Sequence, residues 1–376
     1  MAQAQRIVIK LGTSTLTAGG KAISAPSLVE IARQVAALRG EQAQVVLVSS
    51  GAIAAGRAAL GYPSLPKHLP AKQMLAAVGQ PRLMADYERY FAIYGVPVAQ
   101  VLLTRADLAD RRRFLNARNT FEALLRQGVL PIVNENDTVA TEEIRFGDND
   151  NLSAQVANLV EADLLVLLTD QDGLYTADPR IDPEAELIRT IGPEPFSPEL
   201  WRAAGGTTTG LGTGGMATKL QAADLARHGG TTVVIANGGL PDVLLRPALR
   251  TLGVARGEEV GTRLLPVVNK LEGRKRYILS GSRAAAELAV DAGAARALRR
   301  GGSLLPAGIV AARGEFERGD AVRVTAPDGT GIAVGLTNYG ADDLAHLCGR
   351  QSAEIEAILG FTFGDEVIHR NNLVLL

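Results

Sequence analysis

The chain has 376 residues, a length that suits two domains or one large domain with an appendage. Apolar residues make up 47% and aromatics only 4%, so Ala, Val, Leu and Ile must fill the core. A net charge of -1 gives no global pull toward nucleic acid or anionic lipid, and the single cysteine, Cys348, excludes an internal disulfide and a cysteine-based zinc site.

The chain starts MAQAQRIVIK, with no basic stretch leading into an apolar one, so no signal peptide is expected. The first apolar run, Arg6–Lys10, stops at Leu-Gly-Thr-Ser. Val45–Val48 stops at Ser-Ser-Gly, Val129–Val133 at Asn-Glu-Asn-Asp, Leu164–Leu168 at Thr-Asp-Gln-Asp-Gly, and Thr232–Ala236 at Asn-Gly-Gly. Unbroken runs of this length, rich in branched residues, predict strands buried on both faces. They are far too short to cross a membrane, and a reducing cytoplasm is the expected setting. Ser27–Arg39, Asn116–Arg126 and Ala217–His228 carry helical spacing. Strands alternating with helices predict an α/β protein with a largely parallel sheet, and ligands of such sheets bind beyond the carboxyl ends of the strands. All five polar bursts fall there.

The pattern changes after about residue 265, and Gly261–Pro266 reads as a linker. Beyond Lys275 the elements are short and punctuated by glycine. Pro327-Asp328-Gly329 predicts a hairpin turn between two alternating strands. A small β-barrel with one or two helices is expected there.

Several bursts hold residues suited to anions. Lys10 ends a buried strand, where an ammonium needs an anionic partner. Ser50-Gly51-Ala52-Ile53-Ala54-Ala55-Gly56 runs from strand to helix and can offer free backbone N–H groups, although close helix–sheet packing would also use such small residues. Gly210-Leu-Gly-Thr-Gly-Gly-Met-Ala-Thr-Lys219 leads a lysine into a helix, which suits a polyphosphate. It is neither a Walker A loop nor a dinucleotide fingerprint. Asn134-Glu-Asn-Asp137 and Phe146-Gly-Asp-Asn-Asp-Asn151 could bind a metal or an amino acid, or simply form turns; the second lacks EF-hand spacing. The four histidines have no metal-ligand spacing.

Six strings together resemble the glutamate 5-kinases of the amino acid kinase superfamily. They are Lys10-Leu-Gly-Thr-Ser, Ser50-Gly-Ala-Ile-Ala-Ala-Gly, Leu103-Thr-Arg-Ala-Asp107, Asn134-Glu-Asn-Asp137, Phe146-Gly-Asp-Asn-Asp-Asn151 and Gly212-Thr-Gly-Gly-Met-Ala-Thr-Lys219. The tail, from Arg274-Lys-Arg-Tyr-Ile278, resembles a PUA domain. The resemblance implies a three-layer α/β/α sandwich around a mainly parallel eight-stranded sheet, with a small PUA barrel behind it. It implies a kinase domain over 1–265, a linker over 266–274, the PUA domain over 275–356 and a C-terminal tail over 357–376.

It also implies a reaction, ATP and L-glutamate giving ADP and L-glutamyl 5-phosphate in the first step of proline biosynthesis. Lys10 and Lys219 would hold the ATP phosphates and Asp150 would orient them. Ser50, Gly51, Asn134, Asp137, Asp148 and Asn149 would bind glutamate. Thr169, Asp170, Thr213, Gly214, Gly215, Met216, Ala217 and Thr218 would line the ATP site, with Mg²⁺ accompanying the nucleotide. Proline is an expected feedback inhibitor, with Asp107, Asn134 and Glu143 contributing. A homodimer or homotetramer is expected, and a glutamyl phosphate reductase would act next. PUA domains resemble RNA-binding modules, but Lys275–Glu356 balances its basic and acidic side chains, so RNA is not an expected partner.

Overall fold

A computed structural model of the chain describes residues 5–62, 64, 65, 68–140, 149–205, 215–246, 260–270, 272, 273 and 282–376. It divides into two units, Met1–Leu108 with Ala117–Lys270, and Ala109–Asn116 with Leu271–Leu376.

In chain order, the first part runs β1 (Arg6–Leu11), α1 (Thr13–Thr17), α2 (Ala25–Gly40), β2 (Gln44–Ser49), α3 (Ala52–Ala59), α4 (Leu69–Ala92), β3 (Val98–Leu103) and α5 (Arg105–Ala109). It continues with α6 (Arg111–Arg126), β4 (Leu130–Glu135), α7 (Asn149–Leu159), β5 (Leu164–Thr169), β6 (Thr190–Ile191), α8 (Pro198–Ala203), α9 (Met216–His228), β7 (Thr232–Asn237) and β8 (Thr262–Leu264). The strands form one eight-stranded sheet in the order β3-β4-β2-β1-β5-β7-β8-β6. All neighbours are parallel except β7 and β8. The mainly parallel eight-stranded sheet expected from the resemblance is therefore present.

Each predicted strand run became a strand because both of its faces are covered. Ile7, Ile9, Leu47, Val166 and Leu168 pack on one side with Leu28, Val35 and Leu38 of α2 and Leu83, Tyr87 and Phe91 of α4. The alternate residues Val8, Val46, Leu165, Leu167 and Ile235 are equally buried, and α7 packs against β1 and β5 while α9 packs against β7. Helices on both faces make three layers.

The Gly261–Pro266 linker reading is corrected. Thr262–Leu264 is β8, which pairs antiparallel with β7 through Ile235↔Thr262 and parallel with β6 through Thr190↔Arg263. Three residues between a glycine and a proline are too few for periodicity to reveal. Sequence reading also missed α4, because Pro81 interrupts its pattern. Two glycines seat that helix on α3. A Cβ on Gly79 would stand 1.8 Å from the Ala52 carbonyl oxygen, and one on Gly56 1.9 Å from that of Leu75. Only glycine allows the two backbones to approach this closely.

The second unit contains β9 (Ser282–Val290), α10 (Ala292–Arg299), β10 (Ile309–Arg313), β11 (Ala321–Thr325), β12 (Gly331–Leu336), α11 (Ala341–Leu347), α12 (Ile355–Leu359) and β13 (Leu373–Leu375). Its five-stranded sheet has the order β10-β9-β11-β12-β13. The expected hairpin joins β11 to β12, with Gly329 at φ +80°. Residues 357–376, read as a tail, supply β13 to the sheet and Val367, Ile368 and Leu373 to the core. Among the described residues, no helix is long and apolar enough to cross a membrane.

Candidate active site

The strand order turns at β1 and β5. From β1 the chain builds outward through β2, and the other half of the sheet begins at β5 on β1's opposite edge. The carboxyl ends of these two strands form the crevice in which open α/β sheets bind ligands. Lys10 lies near the end of β1, and Thr169 closes β5.

Asp150 is the centre of the charge arrangement. It lies in the first turn of α7, where the helix dipole favours a carboxylate, and is 1% exposed. One of its oxygens is ion-paired with Lys10 Nζ, and the other receives Lys219 Nζ at 3.0 Å. Thr218 Oγ1 adds a donor to that second oxygen at 3.2 Å. Both lysine side chains are largely buried, at 7% and 12% exposure. One carboxylate between two ammonium groups leaves a net positive charge, so the trio can receive an anion. Buried charges persist only when paired in this way.

Lys219 is presented by α9. This helix starts at Gly215, which has φ +85° and, as glycine, brings no capping side chain of its own. N–H groups at such a helix start suit an anion beside the lysines. At the end of β5, Thr169 Oγ1 donates to Asp170 Oδ1 at 3.1 Å, and the Thr169 carbonyl accepts from Gly238 N at 2.8 Å. Asp170 is exposed at the lip of the crevice.

Asn149, next to Asp150, faces a different set of groups. Its Nδ2 donates to the Ser49 carbonyl at 2.9 Å, to Ser50 Oγ at 3.1 Å and to Asn134 Oδ1 at 2.9 Å. Gly51 follows with φ +102° and starts α3; a Cβ there would crowd Leu16 and Ile23 at 3.1 Å. Ser50, Gly51, Asn134 and Asn149 are thus brought together. Asp137 makes none of these hydrogen bonds. It lines a cavity of about 250 Å³ with Gln80, Gln100 and Glu135, and burial raises its carboxyl from 3.8 to about 6.

Sequence reading missed two supports on α4. Gln80 Oε1 accepts from Asn134 Nδ2 at 2.8 Å, and Tyr87 OH pairs with Ser49 Oγ at 2.7 Å. They lie seven residues apart, two turns along one helix face. That spacing was the available signal, hidden by Pro81 between them. Burial pushes the Tyr87 hydroxyl far above its usual range, so it stays neutral. Asp148, Thr213, Gly214 and Glu143 lie outside the described residues. No cluster of three metal-ligating side chains occurs among the described residues, and both Asp150 oxygens already face cations.

Comparison with known proteins adds independent findings. The amino acid kinase family matches residues 5–237, and the PUA domain matches residues 286–359. A Glutamate 5-kinase of Deinococcus radiodurans is 54% identical over 372 residues, covering 99% of this chain and 100% of its own. One from Shewanella amazonensis is 52% identical over 373 residues, covering 99% and 96%. One from Herpetosiphon aurantiacus is 54% identical over 370 residues, covering 98% of each. Among solved structures, an isopentenyl phosphate kinase covers 69% of this chain at 18% identity and a TM-score of 0.46.

Proposed function

This chain belongs to the glutamate 5-kinases of the amino acid kinase family, followed by a PUA domain, and we propose that it transfers the γ-phosphoryl group of Mg-ATP to the side-chain carboxylate of L-glutamate. Glutamate phosphorylation is its reaction, a step of proline biosynthesis. The products are L-glutamyl 5-phosphate, an acyl phosphate, and ADP.

The observation that carries this reading is the pair Asn149-Asp150. Adjacent residues at one helix start turn toward two unlike surroundings, one cationic and one made of amide and hydroxyl groups. The cationic side takes ATP. Lys10 and Lys219 hold its phosphates, Asp150 orients both lysines, and Thr169, Asp170 and the segment Thr213–Lys219 line the nucleotide. The other side takes glutamate, through Ser50, Gly51, Asn134, Asn149, Asp137 and Asp148.

The acceptor carboxylate has an ordinary pKa of about 4.3, so it reaches the site ionised and needs no base. The obstacle is repulsion between an anion and a polyanion. Positive charge and fixed geometry must overcome it, and the lysine–aspartate–lysine arrangement supplies both. Mg²⁺ belongs with the nucleotide it accompanies, where it neutralises phosphate charge. Asp150 is engaged by lysines and is not offered as its ligand.

Feedback inhibition by proline belongs to this reading, with Asp107, Asn134 and Glu143 as contributors. So do a homodimeric or homotetrameric state, a cytoplasmic setting and a glutamyl phosphate reductase acting next. A kinase domain over 1–265 and a PUA domain from 275 onward, with β13 in its sheet, are the proposed divisions. The test is an assay trapping the acyl phosphate with hydroxylamine under Mg-ATP. Hydroxamate should form with L-glutamate and far less with aspartate or N-acetylglutamate. Equal hydroxamate from all three would refute the assignment of substrate.

A further inference from the structure

The amides beside the acceptor side form a row with a single polarity. The backbone N–H of Glu135 can only donate, and it donates to Asn134 Oδ1 at 2.9 Å. That oxygen is therefore the acceptor end of Asn134, and it also receives Asn149 Nδ2 at 2.9 Å. Asn134 Nδ2 must then find an acceptor, and Gln80 Oε1 supplies one at 2.8 Å. Gln80 Nε2 in turn donates to Gln100 Oε1 on β3 at 3.1 Å. At the far end the Ser49 carbonyl can only accept, which fixes Asn149 Nδ2 as donor. Every amide in the row is oriented by a backbone group or by a neighbour so oriented.

Asn134 is 3% exposed, so an orphaned Nδ2 would be costly. The turn that carries Gln80 is itself unusual. Pro81 lies inside α4 and has no N–H for the Ala77 carbonyl, a loss that helix interiors ordinarily avoid. Ala76, Ala77, Gln80 and Pro81 form one wall of the cavity that Asp137 lines. The contact of Gly79 with Ala52 fixes this turn against the helix that starts at Gly51.

We propose that Gln80 is a positioning residue for the acceptor substrate, holding Asn134, and through it the Asn149 side-chain amide, in the orientation that receives glutamate. This rests on the reading of Asn134 and Asn149 as acceptor-binding residues. Gln80 acts through the orientation of these amides, so its loss should weaken glutamate binding and leave nucleotide binding alone.

Steady-state kinetics of the full chain, with glutamate and Mg-ATP varied separately, tests this with Gln80→Met, Gln80→Glu and Asn149→Ala. Gln80→Met removes the acceptor at similar volume and should raise the glutamate KM on the order of fivefold, the effect of one hydrogen bond. The Mg-ATP KM should stay within about twofold, and the orphaned Asn134 Nδ2 should lower the thermal midpoint modestly. Gln80→Glu keeps an acceptor oxygen for Asn134 and should lie closer to wild type. Its negative charge alone would act in the opposite sense on an anionic substrate, so this order separates hydrogen bonding from charge. A Gln80→Met glutamate KM within twofold of wild type overturns the proposal. So does an equal rise in both KM values, or a Gln80→Glu effect larger than that of Gln80→Met. Asn149→Ala should raise the glutamate KM more than either. If it does not, the site reading fails as well; if only Gln80 is silent, the site reading stands and the positioning role falls.

Discussion

Replacing Asp150 by Asn tests the charge arrangement most sharply. At 3.0 Å from Lys219 Nζ, in an effective dielectric of about 20, the buried carboxylate attracts that lysine by about 5 kcal/mol before desolvation is subtracted. Asn keeps the shape but can accept from only one lysine through its carbonyl. Two largely buried ammonium groups would then share a site with no counter-charge. Breaking a buried ion pair from one side costs about 3 to 5 kcal/mol, so apo Asp150→Asn should unfold at a clearly lower temperature. Turnover should fall about a hundred- to a thousand-fold, the effect of a misplaced electrostatic donor. The KM for Mg-ATP should not rise, because the lysines remain and the repelling carboxylate is gone. The nucleotide would replace the lost anion, so Mg-ATP should raise the melting temperature of this variant at least as far as that of the wild type. Thermal melts with and without Mg-ATP, beside initial rates, give the answer. A folded Asp150→Asn enzyme with a kcat within about threefold of wild type would refute the reasoning.

Lys219→Ala should keep the fold, since it removes one side chain near the start of α9, yet lose most turnover; near-normal kcat in a folded variant would contradict the role given to this lysine. Gly79→Ala should destabilise the protein by about 3 kcal/mol or more, because its Cβ would lie 1.8 Å from a backbone oxygen, and a melting temperature equal to wild type would show that α3 and α4 separate freely. Asp137 gives a dependence on pH. Its carboxyl is raised to about 6, so the folded protein holds that proton more tightly than the unfolded chain, and stability from this group falls as pH rises from about 4 to 6. Binding runs the other way if the ionised form engages glutamate. The glutamate KM should climb as pH drops through about 6, and Asp137→Asn should flatten that part of the profile.

Much of the sheet was legible because its strands are buried on both faces. Leu164–Leu168 could be read as a strand without knowing its neighbours, and its end marked a place for ligands. The α4 helix was not legible, since glycine, alanine and Pro81 serve close packing and a local opening instead of a regular apolar stripe. The same holds for β8, where three residues are held by pairing with distant strands. Within the site, Lys10 and the glycine-rich approach to Lys219 suggested an anion, while Asp150 could be read either as a carboxylate orienting two lysines or as part of a turn. Its partners lie 140 and 69 positions away in the chain, and only the fold or a family resemblance brings them together. Gln80 had neither aid. Its hydrogen bond to Asn134 spans 54 positions and joins two uncharged amides; the seven-residue spacing to Tyr87 was the one trace in the sequence, and Pro81 obscured it.

In this mechanism an already ionised side-chain carboxylate attacks the phosphorus directly. L-glutamate labelled with heavy oxygen on both atoms of that carboxylate, turned over with Mg-ATP and hydroxylamine, tests it. Hydroxylamine attacks the carbonyl carbon of the acyl phosphate, and the phosphate leaves with the bridging oxygen. Each phosphate released should carry one labelled oxygen. Phosphate free of label would mean that water, not glutamate, received the phosphoryl group, and would contradict this mechanism.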